Sequence, residues 1–329
     1  MKPVVWGVMS ISSHYVGRVH TNARKSPLIE IRGIASRSRE KARKAAAELG
    51  IPKAYGSYEE LLADREIEAV YIPLPNHLHA EWVKKAADAG KHVLCEKPFA
   101  LNAAEAEEAM RYAESKGVLV MEGLMYRFHP QWERVVEIVR TGELGEIHAV
   151  HSFFSYMIPD PANIRNILDV GGGGLRDIGG YAVSCSRLLL DAEPARVMSL
   201  VHRDANLRTD ILSTAVMDFG KARAVFTVAT QSQAWQRVDA IGSGGQLSVL
   251  IPFNPHPDVS AEITVINWLG ARTITLPVSD QYALLLEAFS RAVRAGGPVP
   301  LPPRDAVKNL KVTDALFRSE KSGGWETMA

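Results

Sequence analysis

The chain has 329 residues, of which 47% are hydrophobic and 23% charged, an ordinary globular composition with length for about two domains. Its formal net charge of +1 gives no electrostatic reason to bind nucleic acid or an acidic membrane surface. Two cysteines, Cys95 and Cys185, are too few for a disulfide framework or a metal site. With no leader-like start and no apolar run near about 18 residues, a cytoplasmic protein that does not enter the membrane is expected.

Residues 4–9 are an apolar run that reads as a buried parallel strand. The segment after it begins like a dinucleotide-binding turn. Gly7 takes the first glycine position, and Ser10, Ile11 and Ser12 form the turn, with serines where further glycines are usual. Small residues let a helix N-terminus approach a pyrophosphate, and hydroxyls can donate to it. A plain strand, turn and helix fits these residues equally well. Residues 29–35 are the second strand. An acidic residue at its end would hold the ribose of NAD, but here stand Ser36, Arg37, Ser38 and Arg39. Hydroxyls and guanidinium groups suit a 2′-phosphate, so NADP is expected, with NAD as the alternative. A solvated basic helix start is the plainer reading.

Residues 54–62 give a short strand, a Ser57 cap and a helix with Glu60 at the capping-box position. Strands at 68–73, 91–95 and 118–123 alternate with helices at 80–90 and 104–117. This is the spacing of βαβ units, so residues 1–123 are predicted to form a doubly wound parallel sheet, a Rossmann-type domain. Ligands sit at the C-terminal strand ends of such sheets. Pro75, Asn76, His79, Glu96 and Lys97 all fall on that edge. Lys97, followed by Pro98, can hydrogen-bond a substrate hydroxyl and lower the pKa of a neighbouring acid; a surface loop lysine is the alternative.

Residues 124–329 are expected to form a second, α+β domain. Arg127 and His129 are candidates for lining a cleft, against the alternative of a helix start packed with aromatics. Arg165 is a candidate for holding a substrate oxygen, or is a loop arginine. Gly171 to Gly174 open the stretch GGGGLRDIGGY, where glycines let a backbone approach a flat ligand. In the helix that follows, Asp177 and Tyr181 are four residues apart and share a face; a helix N-terminal charge is the plainer role for Asp177. Eight strand-like runs between residues 146 and 278 predict a large, open, mainly antiparallel sheet. Its uncovered face is expected to pair with another subunit, as a homodimer or homotetramer. Amphipathic helices at 280–296 and 305–322 are expected to pack only.

Taken together, WGVMS at 6–10, PNHLH at 75–79, CEKPFA at 95–100, EGLMYRFHPQW at 122–132, GELGEI at 142–147, NIR at 163–165 and GGGGLRDIGGY at 171–181 resemble the glucose–fructose oxidoreductase, inositol dehydrogenase and rhizopine-catabolism (Gfo/Idh/MocA) family. The resemblance spans essentially the whole chain. It implies hydride transfer between a nicotinamide cofactor and a sugar or cyclic-polyol carbon, without a metal. It also implies a catalytic set of Lys97, Asp177 and Tyr181, in which Tyr181 exchanges the proton, Lys97 stabilises the tyrosinate and Asp177 positions the sugar or Lys97. Tyr181 stands where many relatives have His, as in the branch of glucose–fructose oxidoreductase, dimeric dihydrodiol dehydrogenase and aldose dehydrogenases. Ser10 and Ser12 depart from the family's cofactor turn. An aldose such as D-xylose or D-glucose is the expected substrate. The alternatives are a sugar–sugar oxidoreductase with a tightly held cofactor, a 3-keto sugar reductase, a trans-dihydrodiol dehydrogenase, an NAD-dependent glycosidase or a non-catalytic sensor.

Overall fold

The computed structural model describes residues 1–328, and the chain divides into two compact units. The first is built on strands β1 (Val4–Val8), β2 (Ile29–Ala35), β3 (Lys53–Tyr55), β4 (Ala69–Ile72), β5 (His92–Glu96) and β6 (Val120–Gly123). They form one parallel sheet in the order β3-β2-β1-β4-β5-β6. Every residue of β1 and β4 is buried, as a sheet covered on both faces requires. The order reverses between β1 and β4, which opens a crevice at their C-terminal ends.

Five helices connect these strands: α1 (His20–Ala23), α2 (Arg39–Leu49), α3 (Tyr58–Ala63), α4 (His79–Asp88) and α5 (Ala103–Ser115). A π-helical turn, Tyr15–Val19, precedes α1. The caps follow the sequence. Ser38 Oγ accepts from the Lys41 N–H and Ser57 Oγ from the Glu60 N–H. The Glu60 carboxylate reaches back to the Gly56 N–H at 3.0 Å, one residue before the position expected of a capping box.

The second unit holds α6 (Pro130–Arg140), β7 (Ile147–Met157), α7 (Gly180–Leu190), β8 (Arg196–Arg203), β9 (Asp210–Asp218), β10 (Arg223–Ala229), β11 (Gln231–Gly242), β12 (Gly245–Val249), β13 (Ala261–Asn267) and β14 (Gly270–Leu276). All eight strand-like runs are strands. With β15 (Glu326–Thr327) they make a nine-stranded sheet, antiparallel except where β7 and β10 run parallel. Along β7, Val150, Ser152 and Phe154 are buried while His151 is exposed. This period of two places one face on the core. The other face carries Leu200, Leu212 and Trp235, all exposed.

The expected break at residue 123 lies close to the observed change of unit between Met125 and Tyr126. The C-terminal part differs from the expectation of one domain over 124–329. Residues Asp280–Val307 belong to the first unit, including helix α8 (Gln281–Ala295). Trp6 Nε1 donates to Ser290 Oγ at 3.2 Å, and its ring meets Phe289 at 5.5 Å. Arg294 pairs with Glu68. An apolar helical stripe shows that a face is buried but does not name its partner. The last helix, α9 (Pro303–Ser322), begins in the first unit and continues in the second. Among the described residues, no helix is long and apolar enough to cross a membrane.

Candidate active site

In the first unit the chain leaves β1 at Val8 and turns through residues 9–12. Ser12 caps the next helix: the Tyr15 N–H donates to Ser12 Oγ at 3.2 Å and the Val16 N–H to the Ser12 carbonyl at 3.1 Å. Accepting a cap bond leaves the hydroxyl proton of Ser12 able to donate to an anion. Ser10 and Ile11 beside it are half-buried. Gly7 has a reason internal to the fold, since a Cβ there would lie 2.7 Å from Leu61 Cδ2.

At the end of β2, the Ser38 N–H donates to the buried Ser36 Oγ at 3.3 Å. Arg39 forks onto Glu60 at 2.6 and 2.7 Å. Arg37 is exposed. Two hydroxyls and an outward guanidinium, with no carboxylate among residues 36–39, fit a ribose 2′-phosphate.

Glu96 ties the strand ends together. Tyr71 Oη donates to Glu96 Oε1 at 2.5 Å, His14 Nε2 lies 3.4 Å from the same oxygen, and the Lys97 N–H donates to Oε2 at 3.3 Å. Burial raises the Glu96 pKa, but His14 and the Tyr71 hydroxyl outweigh it and hold the carboxyl below its usual range. Glu96 is therefore a buried support, while Lys97 next to it is half-exposed. Pro75 and Asn76 are half-exposed at the 3₁₀ turn Asn76–Leu78. His79 corrects the expectation of a cofactor contact. It is fully buried, with Nδ1 2.7 Å from the Pro98 carbonyl and Nε2 2.8 Å from the Leu74 carbonyl. Its ring clamps the two loops from beneath.

In the second unit the reactive candidates gather at the start of α7. The residues just before it, Leu175–Gly179, form a second π-helical turn, a form concentrated at functional sites. Asp177 is almost wholly buried. Its Oδ2 accepts from Tyr156 Oη at 2.7 Å and from Arg165 Nε at 3.0 Å. Asp177 is the main cause that raises the Arg165 pKa, and Tyr181 adds to the rise. Burial and then Asp177 raise the Tyr156 pKa, so Tyr156 stays a neutral donor. The Tyr181 ring is 4% exposed and packs against Phe253 at 5.1 Å, Phe154 at 5.7 Å and Tyr126 at 6.0 Å between centroids. Arg127 is half-exposed. His129 is fully buried, and its Nδ1 accepts from the Gln131 N–H at 3.2 Å. This places His129 as the cap of α6 and not on a cleft wall.

The glycine run also corrects an expectation. It is buried and its missing side chains make room for the protein itself. A Cβ at Gly172 would lie 2.6 Å from the Arg165 carbonyl oxygen and 2.7 Å from that of Ile167. At Gly173, where φ is +116°, it would collide with Asp210 Oδ1. The Gly172 and Gly173 N–H groups donate to the carbonyls of Ile167 and Arg165 at 3.0 and 2.9 Å. The run is thus a place of close backbone packing against Arg165, whose side chain reaches Asp177.

Three residues were not singled out from the sequence. Tyr156 carries a weak signal, since alternation along β7 puts it on the face of Phe154. Asp210, behind the glycine run, carries none. Glu122, at the end of β6, is fully buried and accepts from the Phe99 N–H at 2.9 Å beside the Lys97 loop. Burial, opposed by that bond, pushes its pKa up to about 7.

Comparison with known proteins bears on both units. Residues 1–124 match the model of an oxidoreductase family with an NAD-binding Rossmann fold, and residues 132–248 match the Gfo/Idh/MocA C-terminal domain. A D-xylose 1-dehydrogenase (NADP(+)) of Haloferax volcanii is 41% identical over 89% of this chain and 90% of its own. A trans-1,2-dihydrobenzene-1,2-diol dehydrogenase of Bos taurus is 31% identical over 75% of this chain and 74% of its own. Among solved structures, the 3-ketoreductase KijD10 of Actinomadura kijaniata, in complex with NADP and TDP-benzene, superposes with a TM-score of 0.90 at 30% identity, covering 96% of this chain and 98% of that one. With both family models matched and this spread of sugar and diol oxidoreductases around it, the chain belongs to the Gfo/Idh/MocA oxidoreductase family.

Proposed function

We propose that the protein is an NADP-dependent dehydrogenase of an aldose, with Tyr181 as the acid/base and Lys97 as the cation that assists it. The observation that carries this is the Asp177 carboxylate, fixed by Tyr156 and Arg165 on the turn that leads to Tyr181. The Ser36, Arg37 and Ser38 edge supports NADP over NAD, and the Ser12 cap supports a pyrophosphate, which both cofactors carry. NADP, when bound, supplies the two-electron acceptor or donor.

The chain's own residues handle the proton and the substrate. Tyr181 takes the proton of the substrate hydroxyl at its phenol oxygen. A tyrosine at its ordinary pKa of ~10 is a poor base at neutral pH, so a nearby positive charge is needed to favour the phenolate. Lys97 has that role, and Arg165 adds to it. Asp177 orients Arg165 and accepts from a sugar hydroxyl, and Arg127 donates to the substrate. Ser10, Ile11, Ser12, Arg37, Pro75 and Asn76 contact the cofactor, while Glu96 and His79 shape their loops from beneath. The likeness to the xylose dehydrogenase favours D-xylose first. The likeness to KijD10 supports a second reading, reduction of a 3-keto sugar. The exposed Leu200, Leu212 and Trp235 support pairing of two subunits through the outer sheet face.

The test is the near-ultraviolet absorbance of reduced nicotinamide, followed with NADP and then NAD over a panel of aldoses, inositols, cyclic diols and 3-keto sugars. Reduction of NADP by an aldose, with NAD at least roughly tenfold less effective, supports the reading. Turnover with inositols or diols alone overturns the substrate class. No turnover with any compound, together with no nicotinamide released on denaturation, overturns the dehydrogenase.

A further inference from the structure

Asp210 opens β9 and its carboxyl is almost wholly buried behind the glycine run. Oδ2 accepts from the Leu175 N–H at 2.6 Å, the first residue of the π-helical turn that carries Asp177. Oδ2 also accepts from Ser213 Oγ at 3.3 Å. Oδ1 is buried, has no hydrogen-bond partner among the described residues and occupies the space a Gly173 side chain would need. The carboxylate thus sits at the positive end of the helix, where negative charge is favoured. It is braced against Gly173, a position that no other residue type can fill without displacing it.

We propose that Asp210 is a positioning residue for the reaction, which pins the first turn of the helix bearing Asp177 and Tyr181 and so sets where both groups reach. This rests on the reading of Tyr181 as the acid/base. Asp210 touches neither Asp177 nor Tyr181 and acts through Leu175 and Gly173. Misplacing a reacting group by about 1 Å can cost roughly 100-fold in rate, so the loss of this pin is read in kcat. NADP affinity stays unchanged, because the cofactor contacts proposed above lie in the other unit. Arg203 and Arg176 are the charged side chains whose fields reach Asp210. Glu320 holds Arg203 at 2.6 and 2.8 Å, and Arg176 lies over the Phe317 ring at 4.8 Å.

The experiment compares Asp210→Ala, Asp210→Asn and Asp210→Glu with Tyr181→Phe, using NADP and D-xylose or the aldose found active in the panel. Each protein is measured for kcat, for NADP Kd by tryptophan fluorescence, and for amide hydrogen exchange over residues 175–179. Asp210→Ala is expected to lower kcat roughly 100-fold and speed exchange of the Leu175 amide, with NADP Kd unchanged. Asp210→Asn keeps an acceptor for that amide and recovers most of kcat. If Asp210→Ala does not fold, Asp210→Glu decides. Its extra methylene has no room beside Gly173, so kcat falls at least about tenfold although the charge is kept. A kcat within about twofold of the native protein in Asp210→Ala, or in Asp210→Glu where Ala fails, overturns the proposal. If Tyr181→Phe retains kcat, the acid/base reading fails, and the exchange data still report whether Asp210 pins the turn.

Discussion

The two candidate regions look alike in sequence and differ in construction. Each has a turn of small residues leading into a helix with a π-helical turn, Tyr15–Val19 in one unit and Leu175–Gly179 in the other. Residues 10–12 are only half-buried, and Ser12 caps its helix with its own side chain. The glycine run at 171–174 is buried, and the space left by its missing side chains is filled by two carbonyls and Asp210. A run of small residues therefore does not by itself mark a ligand cradle. In the first region smallness leaves room outside the fold, and in the second it leaves room inside.

This contrast is broken most severely by adding a methyl group. Gly173→Ala combines a φ of +116° with a collision against Asp210 and is expected to cost at least ~3 kcal/mol or prevent folding, as measured by thermal or urea unfolding. A Gly173→Ala protein of native stability would contradict the internal role of the run.

Buried carboxyls back both regions, and Glu122 sharpens the comparison in the first. Burial is the largest cause of its rise from 4.5 to about 7; Asp305 and Glu96 add to it, and the Phe99 N–H and Lys97 oppose it. The folded state therefore favours the protonated acid. The stability this contributes is complete below pH 4.5 and is lost as pH rises through about 7, a difference of ~3 kcal/mol on the alkaline side. Glu122→Gln is expected to remove that loss, so its Tm exceeds the native value at pH 8 and not at pH 4. Parallel Tm curves for the two proteins would show that Glu122 is ionised throughout.

Smaller effects belong to the cofactor edge. Arg37→Ala is expected to weaken NADP binding by about 2 kcal/mol and to leave NAD binding unchanged, read by titration of each cofactor. Equal losses for both would remove Arg37 from the 2′-phosphate. Ser12→Ala is expected to lower stability by only ~1 kcal/mol, the usual cost of a lost helix cap. Set beside Gly173→Ala, it measures the difference between an open turn and a filled one.

Much of this was legible in the sequence because its signals are local. Strand-like runs alternating with helices marked the six parallel strands, eight further strand-like runs marked the second sheet, and Ser57 marked the start of its helix. Lys97, Asp177, Tyr181 and Arg165 were legible as motif residues. What stayed hidden depends on partners far away in the chain. Asp210 meets Leu175 across 35 residues, and Trp6 meets Ser290 across 284. No periodicity encodes either. His79 and His129 look reactive in a sequence, but burial against carbonyls and a helix N-terminus gives them structural work. The π-helical turns were hidden too, because Leu175, Ile178 and Ala182 keep a spacing that an α-helix also satisfies.

The central claim is that Tyr181 carries the proton, and the most direct measurement is the steady-state kcat of Tyr181→Phe with NADP and the active aldose, beside its NADP Kd. The phenylalanine keeps the ring contacts with Phe253, Phe154 and Tyr126 and removes only the hydroxyl. The expected result is a fall in kcat of about 1,000-fold with an unchanged Kd. A kcat within about threefold of the native value would contradict the account and move the acid/base role to another residue.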